Sequence, residues 1–500
     1  MSRRSKGECH TCRRRRLKCD EGKPRCQRCY ASGVECLGYD NLIRWVNGVA
    51  SRGKMMGKSF PSNTFIPVPM EPYNDGREFT NQPMLYGSLL HPWLQRLDHP
   101  TRHYLAHFLI NVGNDLTIYN LPSQTRTPFK LLLEFADHSP ALFHIIIAIS
   151  AAHMHNLLKT VCSTQNNQIY ALQAKGRAFR LLNQELNNLN PSNYTTSLAS
   201  LMLLAEFAVL ESSDDTWRIH LLAAARLVRL IRTSYSAISD DSESDERSLR
   251  SWTIVRLILQ DTFGSSLSSS TGTWNIPDLC AAINGIDTAL KYAEVEHYTA
   301  CPSPISSVIQ AARSIYDTGT EHLCCIPSPS TQCIFLILQE FNPSTWTMHL
   351  QSQSLTPATD STERYHINSA YKAAATLYAL QAVPDIYLNS CAHTPPRSTD
   401  LVDEILQHVS QVSPSHPLFK ATIWPIYIAG AESGDALRRE VVLQHVRCLS
   451  GVLPWQSMFR AEKVLREFWG RLDSVDEILA TGRGGWLAEF RAMGAAVYPA

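Results

Sequence analysis

Six of the 14 cysteines in this 500-residue chain fall within one short N-terminal stretch, spaced Cys9-x2-Cys12-x6-Cys19-x6-Cys26-x2-Cys29-x6-Cys36. No other feature narrows the possibilities as much. The spacing splits into two halves under one rule, a C-x2-C pair followed by a third cysteine seven positions on. Zinc takes four tetrahedral ligands and favours thiolate. Six thiolates fill two such sites only if two sulfurs are shared. The internal symmetry points to the first cysteine of each half, Cys9 and Cys26, as the shared pair. A disulfide knot would need an oxidising compartment. Residues 1–8 are polar, however, with no apolar segment of the kind that directs export. A redox C-x2-C is a poor fit without a surrounding βαβ pattern.

Charge is distributed to match. The formal net charge of +1 hides a basic head on an acidic body. Residues 1–58 carry 15 Lys/Arg against 5 Asp/Glu, and the rest carries 31 against 40. A basic head implies a polyanion partner. Between the second and third cysteines runs Arg13-Arg14-Arg15-Arg16-Leu17-Lys18, and Lys23, Arg25 and Arg28 follow. Such a run is ordinarily a solvated face. Here it sits between metal ligands on a unit too small to fold without metal. Arg and Lys donate to guanine O6 and N7 in the major groove, and further basic side chains hold phosphates.

These residues resemble the fungal zinc binuclear cluster family of DNA-binding modules. The resemblance covers Cys9 to Cys36 and extends to Leu17-Lys18-Cys19-Asp20 and Lys23-Pro24-Arg25-Cys26. It implies a small module of two short helices around two Zn2+ ions, held by Cys9, Cys12, Cys19, Cys26, Cys29 and Cys36. It also implies that Arg16 and Lys18 lie on the first short helix and contact bases of a CGG-like triplet. Many family members carry Lys where this chain has Arg16. Arg13, Arg14, Arg15, Lys23, Arg25 and Arg28 are then expected on phosphates.

The expected organisation is a zinc cluster domain with a basic tail over 1–40, a Pro-rich linker over 41–95 and an all-helical domain over 96–500 in one or two lobes. Six prolines between positions 61 and 92 exclude continuous helix or central strand there. Beyond Thr101, apolar residues recur at helical spacing in Tyr104–Ile118, Ala141–Leu158, Ile169–Leu189, Thr195–Leu210, Trp217–Ile231 and Leu249–Leu259. Ser234–Ser248 and Gln351–Arg364 read as exposed loops. The stretch Ala141–Ala152 is too short to span a bilayer, so no membrane role is expected. The helical texture, with Phe129–Ala136, Ala141–His153, Phe468-Trp469 and Trp486, resembles the regulatory region of fungal transcription factors. That resemblance implies contacts with coactivators or a small-molecule effector.

Enzyme signatures are absent from the sequence. Gly48-x4-Gly53-Lys54 is a partial phosphate loop, but Met55 replaces the hydroxyl residue that meets magnesium. His153 and His155 point to different sides of a helix, and His144 lies too far along the axis to share an ion. Trp217, Trp252, Trp274, Trp346, Trp424 and Trp455 read as core residues, and the other cysteines, Cys324-Cys325 included, as thiols without ligand spacing. The segment after the cluster leaves no room for a coiled coil of several heptads. A monomer, or a dimer through the helical domain, is expected. The whole describes a nuclear, DNA-binding regulator of RNA polymerase II transcription, not an enzyme. The alternative is a zinc-stabilised protein- or RNA-interaction module without DNA sequence specificity.

Overall fold

The two textures of sequence correspond to two units, Met1–Glu78 and Phe79–Ala500. The computed structural model describes residues 9, 11–12, 15–22, 26–34, 36, 93–119, 127–158, 165–211, 216–234, 244–267, 286–318, 331–383, 395–474 and 485–493. Most of the expected 41–95 linker lies outside these residues, as do Trp274, Cys324, Cys325 and the partial phosphate loop.

In the first unit the described regular structure is a helical turn at Thr11–Cys12 and the helix α1 (Gln27–Ala31). The buried residues that hold it together are cysteines, with almost no aliphatic core beneath them. A unit of this kind depends on metal for its folding energy.

The second unit is helical throughout, with no strand among the described residues. It opens with α2 (His99–His107), a π-helical turn (Phe108–Val112) and α3 (Gly113–Leu116). There follow α4 (Pro128–Ala136), α5 (Pro140–Leu158), α6 (Gln165–Asn187), α7 (Tyr194–Glu211), α8 (Thr216–Ser234) and α9 (Ser244–Ser266). The later part holds α10 (Ile286–Glu296), α11 (Ser303–Thr318), α12 (Thr331–Glu340), α13 (Pro343–Ser352), α14 (Ser361–Ala382) and α15 (Ser398–Ser410). It ends with α16 (Ile423–Glu432), α17 (Ala436–Val452), α18 (Gln456–Ser474) and α19 (Trp486–Ala492).

Several helices start where a polar side chain meets a proline. Asp98, Thr127 and Asn342 each accept a hydrogen bond from a backbone N–H of the first turn, with Pro100, Pro128 and Pro343 already at helical φ. Helices α5 and α7 are apolar all round and long enough by composition to cross a bilayer. They pack into the core of the unit instead, with 67% of the α5 window and 94% of the α7 window buried. One continuous core runs from Leu94 to Phe490, so the described helices do not separate into two lobes. Trp217, Trp424 and Trp455 are buried in it, and Trp252 and Trp346 pack against it.

Two expected loops are corrected where they are described; residues 235–243 of the first lie outside the described residues. Residues 244–248 form the first turn of α9, because Asp245 and Glu246 sit where the helix dipole favours negative charge. The second segment contains a 3-10 turn (Ala358–Asp360) and the start of α14. Arg364 there is only 1% exposed, and its guanidinium donates to the carbonyls of Glu294 (2.9 Å) and Val295 (3.1 Å). A charged residue in a polar sequence run hides its burial when its partners lie some 70 positions away.

Ion pairs with buried guanidiniums cross-link the helices. Arg256 meets Glu206 at 2.6 Å, Arg313 meets Asp261 at 2.6 Å and Arg491 meets Asp317 at 2.5 Å. In the first two pairs both partners are buried, so removing one strands a buried charge at a cost of about 3–5 kcal/mol, whereas Asp317 of the third is partly exposed.

Candidate metal centre and nucleic-acid interface

The six cysteine sulfurs converge. Those of Cys9, Cys12, Cys19 and Cys26 lie within 4.8 Å of one another, and so do those of Cys9, Cys26, Cys29 and Cys36. Cys9 and Cys26 belong to both groups, as the ligand count requires. Tetrahedral zinc with Zn–S bonds near 2.3 Å sets neighbouring sulfurs about 3.8 Å apart. The observed separations are 3.6 Å for Cys9–Cys26, 3.8 Å for Cys9–Cys29 and 3.7 Å for Cys12–Cys26. The residues present therefore fit two zinc ions sharing two thiolates.

Backbone amides complete the cluster in matched pairs. Cys12 N–H donates to Cys9 Sγ and Cys29 N–H to Cys26 Sγ, both at 3.3 Å. Cys9 N–H donates to Cys19 Sγ at 3.4 Å, and Cys26 N–H to Cys36 Sγ at 3.5 Å. These donors favour thiolate. Against them, burial pushes the Cys9 thiol up to about 12 and raises Cys12 and Cys26 as well. Five of the six cysteines are buried, so the thiolates need a cation to compensate them.

The backbone between the cysteines corrects one expectation. Arg16 and Lys18 do not lie on the first short helix. The turn that begins at Thr11 closes with Arg15 N–H to Thr11 O and Leu17 N–H to Cys12 O, both 3.0 Å. Arg16 sits between them at φ +55°, the left-handed conformation that ends a helix. Lys18 follows on non-helical backbone. A helical period cannot be read over a single turn, and the capping geometry stops the helix before Arg16. Arg15, Arg16 and Lys18 are all exposed.

Two residues hold this ledge. Asp20 receives the backbone N–H groups of Gln27 (2.8 Å) and Arg28 (3.1 Å) at the start of α1. Those two bonds hold its carboxyl below the usual range. Arg28 in turn donates to the Lys18 carbonyl at 2.8 Å, tying the second half to the segment that carries Lys18. Sequence reasoning placed Arg28 on phosphate and gave Asp20 no role. The signal for Asp20 was its position directly after Cys19, short of a helix that needs a cap. Arg13, Arg14, Lys23 and Arg25 lie outside the described residues.

Among the described residues no second metal-holding group occurs. His153 is buried and hydrogen-bonded to His107 (2.8 Å) and Asp115 (2.8 Å), a link between α5 and the first helices of its unit. Cys301 is buried, and Cys333 and Cys448 are exposed thiols.

Comparison with known proteins agrees with this construction. The fungal Zn(2)-Cys(6) binuclear cluster domain matches residues 8–45, and the fungal specific transcription factor domain matches residues 103–497. The chain belongs to this family of fungal transcription factors. It is similar to the acriflavine sensitivity control protein acr-2 of Neurospora crassa, 22% identical over 97% of this chain and 95% of that one. It also resembles the transcriptional regulatory protein moc3 of Schizosaccharomyces pombe, 59% identical over 49 residues, 10% of each chain. No solved structure matches. The chain is thus a transcription regulator rather than an enzyme, with two zinc ions as cofactor and DNA as partner.

Proposed function

We propose that this protein is a sequence-specific, nuclear regulator of RNA polymerase II transcription that reads CGG-like triplets in the major groove. The observation that carries the proposal is the ledge of exposed Arg15, Arg16 and Lys18, held by the largely buried six-sulfur cluster and tied down by Asp20 and Arg28. Arg16 and Lys18 make the base contacts, donating to guanine O6 and N7. Arg13, Arg14, Arg15, Lys23, Arg25 and Arg28 contribute phosphate contacts, which add affinity without sequence choice. Arg28 does so with the donors its bond to Lys18 leaves over. Cys9 and Cys26 bridge the two ions, and Cys12, Cys19, Cys29 and Cys36 complete them. The basic segment from Arg3 to Lys18 doubles as the nuclear-import signal. The domain plan is the zinc cluster over 1–40, the linker over 41–95 and the regulatory domain over 96–500, the last contacting coactivators or a small-molecule effector. The protein binds as a monomer or dimerises through that domain.

Selection from random duplexes by the zinc-loaded full chain tests the reading. Enrichment of a CGG-type triplet is expected, and flat enrichment would leave a zinc-stabilised interaction module without DNA specificity.

A further inference from the structure

Helices α6 and α8 carry more apolar surface than their packing uses. The buried side of α6 is Ala171, Ala174, Ala178 and Leu182, and that of α8 is Trp217, Leu221, Ala224 and Val228. Those residues already supply the stripe that a helix needs to join a core. Yet Ile169, Leu172 and Phe179 stand outward from α6, and Ile219 and Leu222 from α8. Ile169 is 54% exposed and Ile219 66%. A single apolar residue on a surface needs no explanation, but these recur at helical spacing, three and seven positions apart. The ring of Phe179 meets that of His220 at 5.7 Å, so the two stripes adjoin.

Charge singles out the same two helices. Together they hold seven Lys/Arg and one Asp/Glu, in a unit that is otherwise acidic. The one acid, Glu185, turns inward and accepts from Ser139 Oγ (3.1 Å) and the Ala141 N–H (3.4 Å). Arg180 and Arg226 are exposed, and no ion pair among the described residues takes up either. At about 100° per residue, Arg180 lies about 20° around its helix from Ile169, and Arg226 about 20° from Ile219. Cationic and apolar side chains therefore rise from the same outer crests.

That geometry selects the occupant. A nucleic acid would take up the guanidiniums and leave the isoleucines against water. A bilayer that took in the isoleucines would take in the guanidiniums level with them, which is costly. Two copies meeting face to face would set arginine against arginine. An acidic amphipathic helix answers both features, since it offers carboxylates and apolar side chains together. We propose that the α6–α8 face docks such a helix from a partner protein, its apolar side on Leu172, Phe179 and Ile219 and its carboxylates on Arg180 and Arg226. This goes beyond the DNA-reading assignment and does not depend on it.

The test probe is a fluorescein-labelled designed helix of about four turns, with leucine along one side and glutamate along the other. It is titrated into the zinc-loaded full chain in the presence of saturating duplex DNA, which occupies the basic N-terminal unit. A saturable rise in anisotropy at one peptide per chain is expected, weakening as salt is raised. A scrambled peptide of the same composition and a lysine-for-glutamate version should not bind, a readout that needs no variant to fold. Arg180→Glu combined with Arg226→Glu should weaken binding roughly tenfold, and Ile219→Asp should do the same. All three positions are exposed, so the thermal midpoint of the helical unit should not move. No saturable binding, equal binding of the scrambled peptide, displacement of the peptide by the duplex, or undiminished binding in either folded variant would overturn the proposal. So would uptake of the chain by phosphatidylserine vesicles that Ile219→Asp abolishes, or a homodimer that it dissociates, since each gives the face to another occupant.

Discussion

The two halves of the zinc cluster share a backbone and differ in almost every side chain between their cysteines. Moving 17 positions along the chain carries Cys9, Cys12 and Cys19 onto Cys26, Cys29 and Cys36. The same step carries the Leu17 N–H bond to Cys12 O onto the Val34 N–H bond to Cys29 O, each 3.0 Å. It carries Arg16 at φ +55° onto Gly33 at φ +61°. Yet residues 13–18 hold five basic side chains, and residues 30–35, Tyr-Ala-Ser-Gly-Val-Glu, hold none. The cysteine spacing and the metal set the geometry of both halves. The residues between the cysteines decide which half meets a polyanion. The half that keeps glycine at the left-handed position is the one with no basic run to display.

The strongest test of the shared geometry is to remove a bridge. Cys9→Ala and Cys26→Ala each take a ligand from both four-sulfur groups, so both variants should lose both ions and the fold of the unit together. Structural zinc sites of this kind contribute about 10–16 kcal/mol of apparent binding energy. Elemental analysis should find close to zero zinc in either variant, and one ion retained in either would refute the sharing. Cys19→Ala should also lose zinc and fold, and two ions retained there would refute the cluster. The next test addresses the chemical difference. Lys18→Ala should cost about 1–3 kcal/mol of affinity for a CGG site and leave the fold intact. Glu35→Ala, at the corresponding position of the other half, should cost nothing. Anisotropy titrations on CGG and scrambled duplexes decide the matter, because equal losses on both would make Lys18 a phosphate contact.

Asp20 joins the two halves, so its removal should affect both. Asp20→Ala strips the acceptor from the first amides of α1 and frees the Arg28–Lys18 tie. A lower unfolding midpoint and a drop in DNA affinity shared by all sequences are expected, smaller than the Lys18→Ala effect on the CGG site. An unchanged midpoint would show that the cluster alone orders the ledge.

The cluster was legible in the sequence because metal ligation translates directly into spacing. Both four-sulfur groups, with Cys9 and Cys26 in common, follow from counting ligands. The helix around Arg16 was misread because one turn carries no period, and its end is set by a backbone dihedral that arginine does not announce. In the helical unit the long apolar periods marked α5 to α8 to within a few residues. The contacts that join distant stretches left no such trace. Arg256 donates to the Leu116 carbonyl, 140 positions away, and nothing in the sequence around either residue marks the pair.

The finest contrast between the halves is Arg16 against Gly33. A non-glycine residue in the left-handed region costs roughly 1–2 kcal/mol, partly offset by the greater freedom glycine has in the unfolded chain. Arg16→Gly should therefore raise the stability of the unit by about 1 kcal/mol or less while weakening binding to the CGG site. Gly33→Ala should lower stability by about 1 kcal/mol and leave DNA affinity unchanged, since a Cβ there meets no neighbour within 4 Å. Denaturant unfolding of the zinc-loaded protein, followed by a probe on the N-terminal unit, reads both. Opposite signs would mean that strain is held in the half that displays the basic run, where a function justifies keeping it. If Arg16→Gly gained no stability, the left-handed arginine would carry no strain, and the two halves would be equivalent in backbone energy as well as in shape.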